Sequence, residues 1–294
     1  MARIAITGGT GFVGLHTSRA LAAAGHELRL VARGERRGPR PAGAQVVRAD
    51  VVTGEGLTAA LSGCDAVLHL VAVIRERGRQ TFDSVNRGGA ENVARAAREA
   101  GVGHIVHVSA VGADPDPAYP YLYSKWQGEQ AIRGSGVPFD VLRPSLMFGI
   151  GDGFFTQLVK LIRWNPVVPV PGDGRAMFQP LAIGDLARIV VQCVETGPKR
   201  RVAEVGGPEW MSLEEIIDVI KGVMGTRRRN VHVPVQAIMP MAMIFDKVMS
   251  KPPVTPDQLK MLAKSNTTHP DAVRRQFGFE PQSFRDNAHY LQDY

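Results

Sequence analysis

Apolar positions come first in an unbroken run, Ile4-Ala5-Ile6, and the next eight residues change character to Thr7-Gly8-Gly9-Thr10-Gly11-Phe12-Val13-Gly14. A short apolar run reads as a strand covered on both faces and the glycines as a tight turn; Phe12 to Ala24 then reads as a helix. The alternation continues down the chain. His26–Ala32, Val46–Ala49, Ala66–Ala72 and His104–Ser109 read as strands, while Leu57–Leu61, Phe82–Ala100 and a stretch from Tyr119 to about Arg133 read as helices. Only His69 interrupts the fourth strand, and it fits a hydrogen-bonded core histidine better than a catalyst. In the long helix Val85, Ala90, Val93 and Ala97 recur with turn-like spacing. This rhythm predicts an α/β fold, a doubly wound parallel sheet with right-handed crossovers.

Beyond Pro144 the pattern is less regular. Phe154–Trp164 reads as a helix, Asn165–Asp173 as a proline-rich loop, Leu186–Glu195 as a buried helix returning to the sheet, and Ala203–Pro208 as a strand and turn. Ser212 followed by Glu215 predicts a capping box for a helix to about Met224. Pro234–Met249 holds Met239, Met241, Met243 and Met249 beside Ile238, Ile244 and Phe245. It reads first as an adaptable core helix; the alternative is an apolar surface for a lipid-like ligand or a partner protein.

Composition narrows the setting. The chain of 294 residues carries a net charge of +7, but its basic residues are scattered in short clusters of the kind that solvated loops produce. No nucleic-acid motif accompanies them, so DNA and RNA are not expected partners. Two cysteines, Cys64 and Cys193, lie far apart and neither has metal-ligand spacing, which points to a reducing cytoplasm and no metal site. The first strand starts almost at Met1, leaving no expected targeting peptide, and no run approaches the roughly 20 apolar residues of a membrane span.

The glycine stretch carries the first chemistry. Gly8, Gly11 and Gly14 suit a turn, a close approach to a pyrophosphate, and tight helix–strand packing. The phosphates would meet the helix N-terminus and its free N–H groups, within the run Gly8, Gly9, Thr10, Gly11, Phe12, Val13, Gly14. At the end of the second strand an acidic residue would bind the ribose 2′-OH of NAD, whereas an arginine accommodates the 2′-phosphate of NADP. Ala32-Arg33 stands there, with Arg36 and Arg37 close behind and Glu35 out in the turn. NADP(H) is therefore the expected cofactor. Asp50-Val51 ends the third strand, well placed for the adenine edge. Tyr121 and Lys125 share a helix face one turn apart; an ammonium there favours tyrosinate and can bind the cofactor ribose, which suits proton exchange at a carbonyl or alcohol.

In these residues the chain resembles the short-chain dehydrogenase/reductase superfamily, in its extended or atypical branch. The resemblance rests on Thr7–Gly14, Asp50-Val51, Leu68-His69-Leu70-Val71-Ala72, the helix asparagine Asn86, and Tyr121-x-x-x-Lys125. Downstream, Leu142-Arg143-Pro144-Ser145-Leu146-Met147-Phe148-Gly149 looks like the family's sixth strand and substrate-side loop, and Gln179–Ala187 like its later strand-to-helix signature. It implies a Rossmann NADP-binding domain over 1–150. It also implies a mixed region over 151–294 that returns to the sheet and forms a small C-terminal substrate cap. Cofactor contacts are implied at Val71, Ala72, Asn86, Tyr121, Lys125 and Pro144, with Tyr121, Lys125 and Ser109 catalytic.

Val108–Asp114, Ser124–Glu129 and Pro252–Leu259 look like a narrower group, which includes the nucleotide-binding accessory subunit of complex I and its free-standing bacterial relatives. A membrane-associated redox complex is thus one expected partner, beside a small-molecule substrate that the sequence does not name. One departure stands out. Extended members carry Ser or Thr two residues beyond Ser109, where this chain has Val111, which donates no hydrogen bond. The expected activity is oxidoreduction at a carbonyl or alcohol. The alternatives are a non-catalytic NADPH-binding module and a nucleotide-sugar epimerase or dehydratase, the last disfavoured by Val111.

Overall fold

The computed structural model describes residues 1–34, 40–249, 255–261 and 266–294. Arg36, Arg37, Glu35 and the segment Pro252–Val254 lie outside them. The chain divides into two compact units, one of Met1–Pro144 with Ile183–Val205, the other of Ser145–Ala182 with Gly206–Tyr294.

The first unit is built on strands β1 (Arg3–Thr7), β2 (Glu27–Ala32), β3 (Gln45–Arg48), β4 (Ala66–His69), β5 (His104–Val108) and β6 (Phe139–Pro144), with Arg201–Val205 added beyond β6. They lie in the order Arg201–Val205, β6, β5, β4, β1, β2, β3, and every pairing is parallel. The connecting helices are α1 (Phe12–Ala23), α2 (Leu57–Leu61), α3 (Gly88–Glu99) and α4 (Pro120–Gly134), with Ile183–Thr196 leading to the last strand. Strand order reverses between β1 and β4. At such a switch point the loops leave in opposite directions, and a crevice opens at the carboxyl ends of the strands. One face of the sheet packs Ala5, Val67, Ile105 and Val141 against Leu57, Ala90, Val93 and Ile132 from α2, α3 and α4.

Two local differences bear on the site. β4 closes at His69 rather than Ala72, because Leu70 N still bonds back to Thr7 O but the chain then leaves the ladder. The segment from Phe82 opens with a wide helical turn, Phe82–Arg87, before α3 begins. Its head is a capping box: Thr81 accepts from Ser84 N, and Ser84 Oγ accepts from Thr81 N.

The second unit packs Phe148, Phe155, Phe284 and Tyr290 around a core shared with Ile216, Ile217 and Ile220. Ser212 and Glu215 form the expected capping box on the helix Leu213–Val223. The segment Asn165–Asp173 is not all loop. Val168–Pro171 pairs in parallel with Asn230–Val233, burying Val168 and Val170 completely while the intervening Pro169 needs no donor.

The methionine-rich segment is a helix, Val235–Val248, but it is not the core helix its composition suggests. Ile238 and Ala242 are buried against Leu259, whereas Met241, Met243, Ile244 and Val248 are exposed. Among the described residues no helix is long and apolar enough to cross a membrane.

Candidate functional site

The glycine turn sits at the switch point. Gly8 has φ +77°, and a Cβ there would come within 3.2 Å of Leu70 and Val71 in the chain leaving β4. Gly11 N bonds to Gly8 O at 3.0 Å and closes the turn. Gly14 is the tightest of the set: a Cβ would lie 2.2 Å from Gly8 O and 2.6 Å from Gly9 Cα. That closeness lets α1 begin directly against the turn. Gly9 faces the sheet, its Cβ direction meeting Leu30 at 2.9 Å, whereas a Cβ on Gly11 would approach only Gly8 O, at 3.4 Å.

The end of α1 that this turn presents is bare. No side chain caps it and no carboxylate stands in its first turn. Helices leave their first N–H groups without internal acceptors, and such an end favours a phosphate. Thr10 and Gly11 are exposed there, with Phe12 and Val13 half-buried. A pyrophosphate fits the cradle, which a side chain at Gly11 would fill.

The other residues expected around a dinucleotide are placed unevenly. Arg33 is exposed at the end of β2; with the Gln80 amide oxygen turned toward it, both of its terminal guanidinium nitrogens donate at 3.2 Å. Asp50 closes a turn after β3 by accepting from Val52 N at 2.8 Å. Val51 is buried in the core between α2 and α3. Val71 is half-buried and Ala72 exposed in the chain leaving β4. Asn86 is buried and already engaged. Its oxygen accepts from Val73 N, and its nitrogen donates to Val73 O and Ser124 Oγ. It fastens the chain leaving β4 to α4, so its influence on a cofactor would pass through Val71 and Ala72. Pro144 ends β6, its carbonyl taken by Val111 N.

Helix α4 starts at Pro120, whose missing N–H costs nothing at the first helical position. It brings Tyr121, Lys125 and Glu129 onto one face. Lys125 is 3% exposed and donates to Val108 O at 2.8 Å. Burial pulls its ammonium down to about 8, although Glu129 one turn on works the other way. Glu129, fully buried, takes a two-pronged bond from Arg143 on β6 at 2.7 and 2.8 Å, which locks α4 to the sheet.

Tyr121 meets Phe82 edge-on at 5.9 Å. Burial alone pushes its phenol up to about 12. The expectation that the lysine favours tyrosinate thus finds no counterpart in this geometry, because the ammonium is directed to the Val108 carbonyl. Ser109 is buried, and its Oγ has no hydrogen-bond partner among the described residues. Val111 is buried and offers only its backbone.

One feature of this corner had no signal in the sequence beyond its residue types. Thr7, His69 and His107 are register partners on β1, β4 and β5. Thr7 Oγ1 lies 2.7 Å from His69 Nδ1, and the two imidazoles stack with centroids 5.1 Å apart. His69 is the hydrogen-bonded core residue expected. Burial, with the Lys125 charge close by, drives both rings well below the usual histidine range, His69 to about 3.

Residues 8–149 match the NAD(P)H-binding family. The chain is 31% identical over 252 residues to a ceramide reductase of Caulobacter vibrioides, covering 83% of this chain and 77% of that one. It is 25% identical to the 40 kDa subunit of mitochondrial NADH-ubiquinone oxidoreductase from Neurospora crassa, over 78% of this chain but 61% of the subunit. Among solved structures, a UDP-glucuronic acid 4-epimerase from Bacillus cereus, in complex with UDP-glucuronic acid and NAD, superposes with a TM-score of 0.78. Its identity is 20%, and the match covers 99% of this chain and 98% of that one. The fold and the glycine crevice define a Rossmann-type NAD(P)-binding protein. The chain belongs to the short-chain dehydrogenase/reductase family and is an NAD(P)-binding oxidoreductase of that family.

Proposed function

We propose that this chain binds NADP(H) and exchanges hydride at a carbonyl or alcohol, with Tyr121 as the group that gives or takes the proton. The observation that carries the reading is Lys125, an ammonium buried one helical turn from a tyrosine, with a single bonded acceptor among the described residues. An ammonium has three donors, and leaving donors unmet in the interior is costly. The hydroxyls of a cofactor ribose are the acceptors that family resemblance supplies. The glycine turn would hold the pyrophosphate and Arg33 the 2′-phosphate.

Bound NADPH supplies the hydride. With the hydride going to the carbonyl carbon, Tyr121 would give its hydroxyl proton to the carbonyl oxygen, and solvent would restore the phenol. One alcohol forms per cofactor oxidised. A phenol held at about 12 is fully protonated at neutral pH, which suits the acid of a reduction better than the base of an oxidation. The ceramide reductase relative makes a long-chain lipid carbonyl the first substrate class to try.

A second reading, a non-catalytic NADPH-binding module of a redox assembly, is favoured by Val111, which leaves the usual hydroxyl donor absent, and by the complex I relative. Screening wild type and Tyr121→Phe for NADPH oxidation against long-chain keto lipids, quinones, aldehydes and nucleotide-sugar ketones separates the two. Turnover in wild type that the phenylalanine variant loses supports the enzyme. Inactivity of wild type against every class, with intact NADPH binding, supports the module.

A further inference from the structure

The chain leaving β4 does not run straight to the next helix. It makes a small hairpin, Ile74–Gln80, in which Arg77 and Gln80 exchange both backbone hydrogen bonds at 2.9 Å around Gly78, at φ +54°. Both stems are pinned. Asn86 holds Val73 by two bonds on one side. On the other, Glu76 Oε1 accepts from Phe82 N at 2.7 Å and Ser84 Oγ donates to Arg79 O at 3.0 Å. The hairpin is therefore a fixed projection from the carboxyl end of β4.

Its last residue reaches the end of β2. The Gln80 amide faces the Arg33 fork; with its oxygen turned toward it, both terminal nitrogens donate at 3.2 Å. The fork it occupies is the one that would grip a phosphate. The hairpin is also strongly cationic. Arg75, Arg77 and Arg79 stand against Glu76, whose carboxylate is turned back to the Phe82 amide. Arg77 and Arg79 are exposed and form no ion pair among the described residues.

We infer that this hairpin is the second half of a site for a ribose 2′-phosphate monoester, and that Gln80 and the tip arginines set the preference for it. The inference rests on the NADP(H) reading proposed above and adds to it the residues across from Arg33. An amide suits position 80 because it carries an acceptor and donors. Its oxygen steadies the Arg33 fork in the free chain; when a phosphate takes the fork, rotation of the amide presents N–H groups to the same anion. A carboxylate at that position would hold the guanidinium permanently and repel the phosphate. Arg77 and Arg79, exposed on the hairpin that carries Gln80, add positive potential on this side, which a doubly charged monoester feels more than a ribose hydroxyl does.

The test is calorimetric titration of wild type, Gln80→Glu, Gln80→Ala and Arg77→Ser/Arg79→Ser with NADPH, NADH and adenosine 2′,5′-bisphosphate. The hairpin is at the surface, so all variants are expected to fold, as circular dichroism will check; NADH binding serves as a second readout of an intact crevice. Gln80→Glu should weaken NADPH and the bisphosphate by about tenfold or more, equivalent to about 1.4 kcal/mol, and leave NADH within about twofold. Gln80→Ala should fall between. The double serine variant should weaken NADPH severalfold and flatten the salt dependence of bisphosphate binding. Equal effects on NADPH and NADH, or none on either, would overturn the inference. If Arg33→Ala abolishes the NADPH preference while the hairpin variants keep it, the NADP(H) reading stands and the hairpin is excluded. A wild type without NADPH preference removes both.

Discussion

The two ends proposed for the crevice, one for phosphate and one for proton transfer, are both in the first unit and are built by opposite means. The glycine turn is built by leaving things out: no side chain at Gly8, Gly9, Gly11 or Gly14, no side-chain cap and no carboxylate. The bare backbone then presents the charge that a phosphate wants. At Tyr121 and Lys125 the site is crowded, with a buried ammonium, two stacked neutral histidines, a buried glutamate and a phenol held protonated. In the first end an added side chain would collide with the backbone at Gly14 or take the space proposed for a phosphate at Gly11, whereas the second depends on the charge state of each group. Steric variants should break the one, and pH or charge variants the other.

The largest effect is expected at the phosphate end. Gly11→Val adds atoms where only Gly8 O is within 3.4 Å, at an ordinary φ of −81°. The fold should survive, by far-UV circular dichroism, while NADPH binding falls below detection. Gly14→Ala is the contrasting control. Its methyl would sit 2.2 Å from Gly8 O, so the cost should appear in folding as roughly 1–3 kcal/mol or more in urea titrations. Normal binding by a folded Gly11→Val chain would show that phosphates do not occupy the turn.

Next in size is Tyr121→Phe. Removing the phenol hydroxyl should lower turnover roughly 10²–10⁴-fold and leave NADPH affinity nearly unchanged, measured by single-turnover oxidation and by fluorescence titration. An active wild type with an equally active variant would remove Tyr121 from the chemistry without touching the fold.

The third expectation uses pH. Burial lowers the Lys125 ammonium from 10.5 to about 8 in the folded chain. Below pH 8 both folded and unfolded chains carry the proton, so the full cost of the buried charge is present. Between about 8 and 10.5 the unfolded chain keeps a proton that the folded chain has released, so stability rises with pH. Relative to Lys125→Met, wild type should gain roughly 3 kcal/mol across that window, the worth of the shift. His69 and His107 titrate below the window in both states; the Tyr121 phenol, which ionises near 10 unfolded and about 12 folded, is present in both proteins and cancels, so the difference belongs to the lysine. Parallel urea titrations of the two proteins at pH 7.5 and 10.5 check it; a flat difference would mean that the ammonium is not desolvated.

How much of this was legible in the sequence follows from how local each determinant is. The β1 strand, its glycine turn and α1 are specified within about twenty residues, as is the Ser212–Glu215 cap, and both were readable. Val168–Pro171 was not, because its prolines signal a loop and its strand partner lies some sixty residues away at Asn230–Val233. The methionine-rich helix misled for a related reason: composition states what a side chain is, and only tertiary packing decides whether Met243 is covered. Asn86 carries a family signal, yet its amide is spent on Val73 and Ser124, a distinction that needs coordinates. His107 gave no signal until its register beside His69 was known.

The smallest expected effect is at Arg33, and it decides whether the phosphate end discriminates between cofactors or merely binds them. The residue is exposed at the end of β2, where water competes for its guanidinium, so its hydrogen bonds to a 2′-phosphate belong at the modest end for charged groups. Arg33→Ala should cost NADPH about 1.5 kcal/mol, and NADH, which has a hydroxyl at that position, almost nothing. Raising the salt from 50 to 500 mM should shrink the wild-type preference more than the variant's, since screening in the variant acts only on the remaining hairpin arginines. Equal losses for both cofactors would mean that Arg33 supports the end of β2 rather than reading the ribose. The contrast between a steric phosphate end and an electrostatic proton-transfer end would then be sharper, with no charge selection at the glycine turn at all.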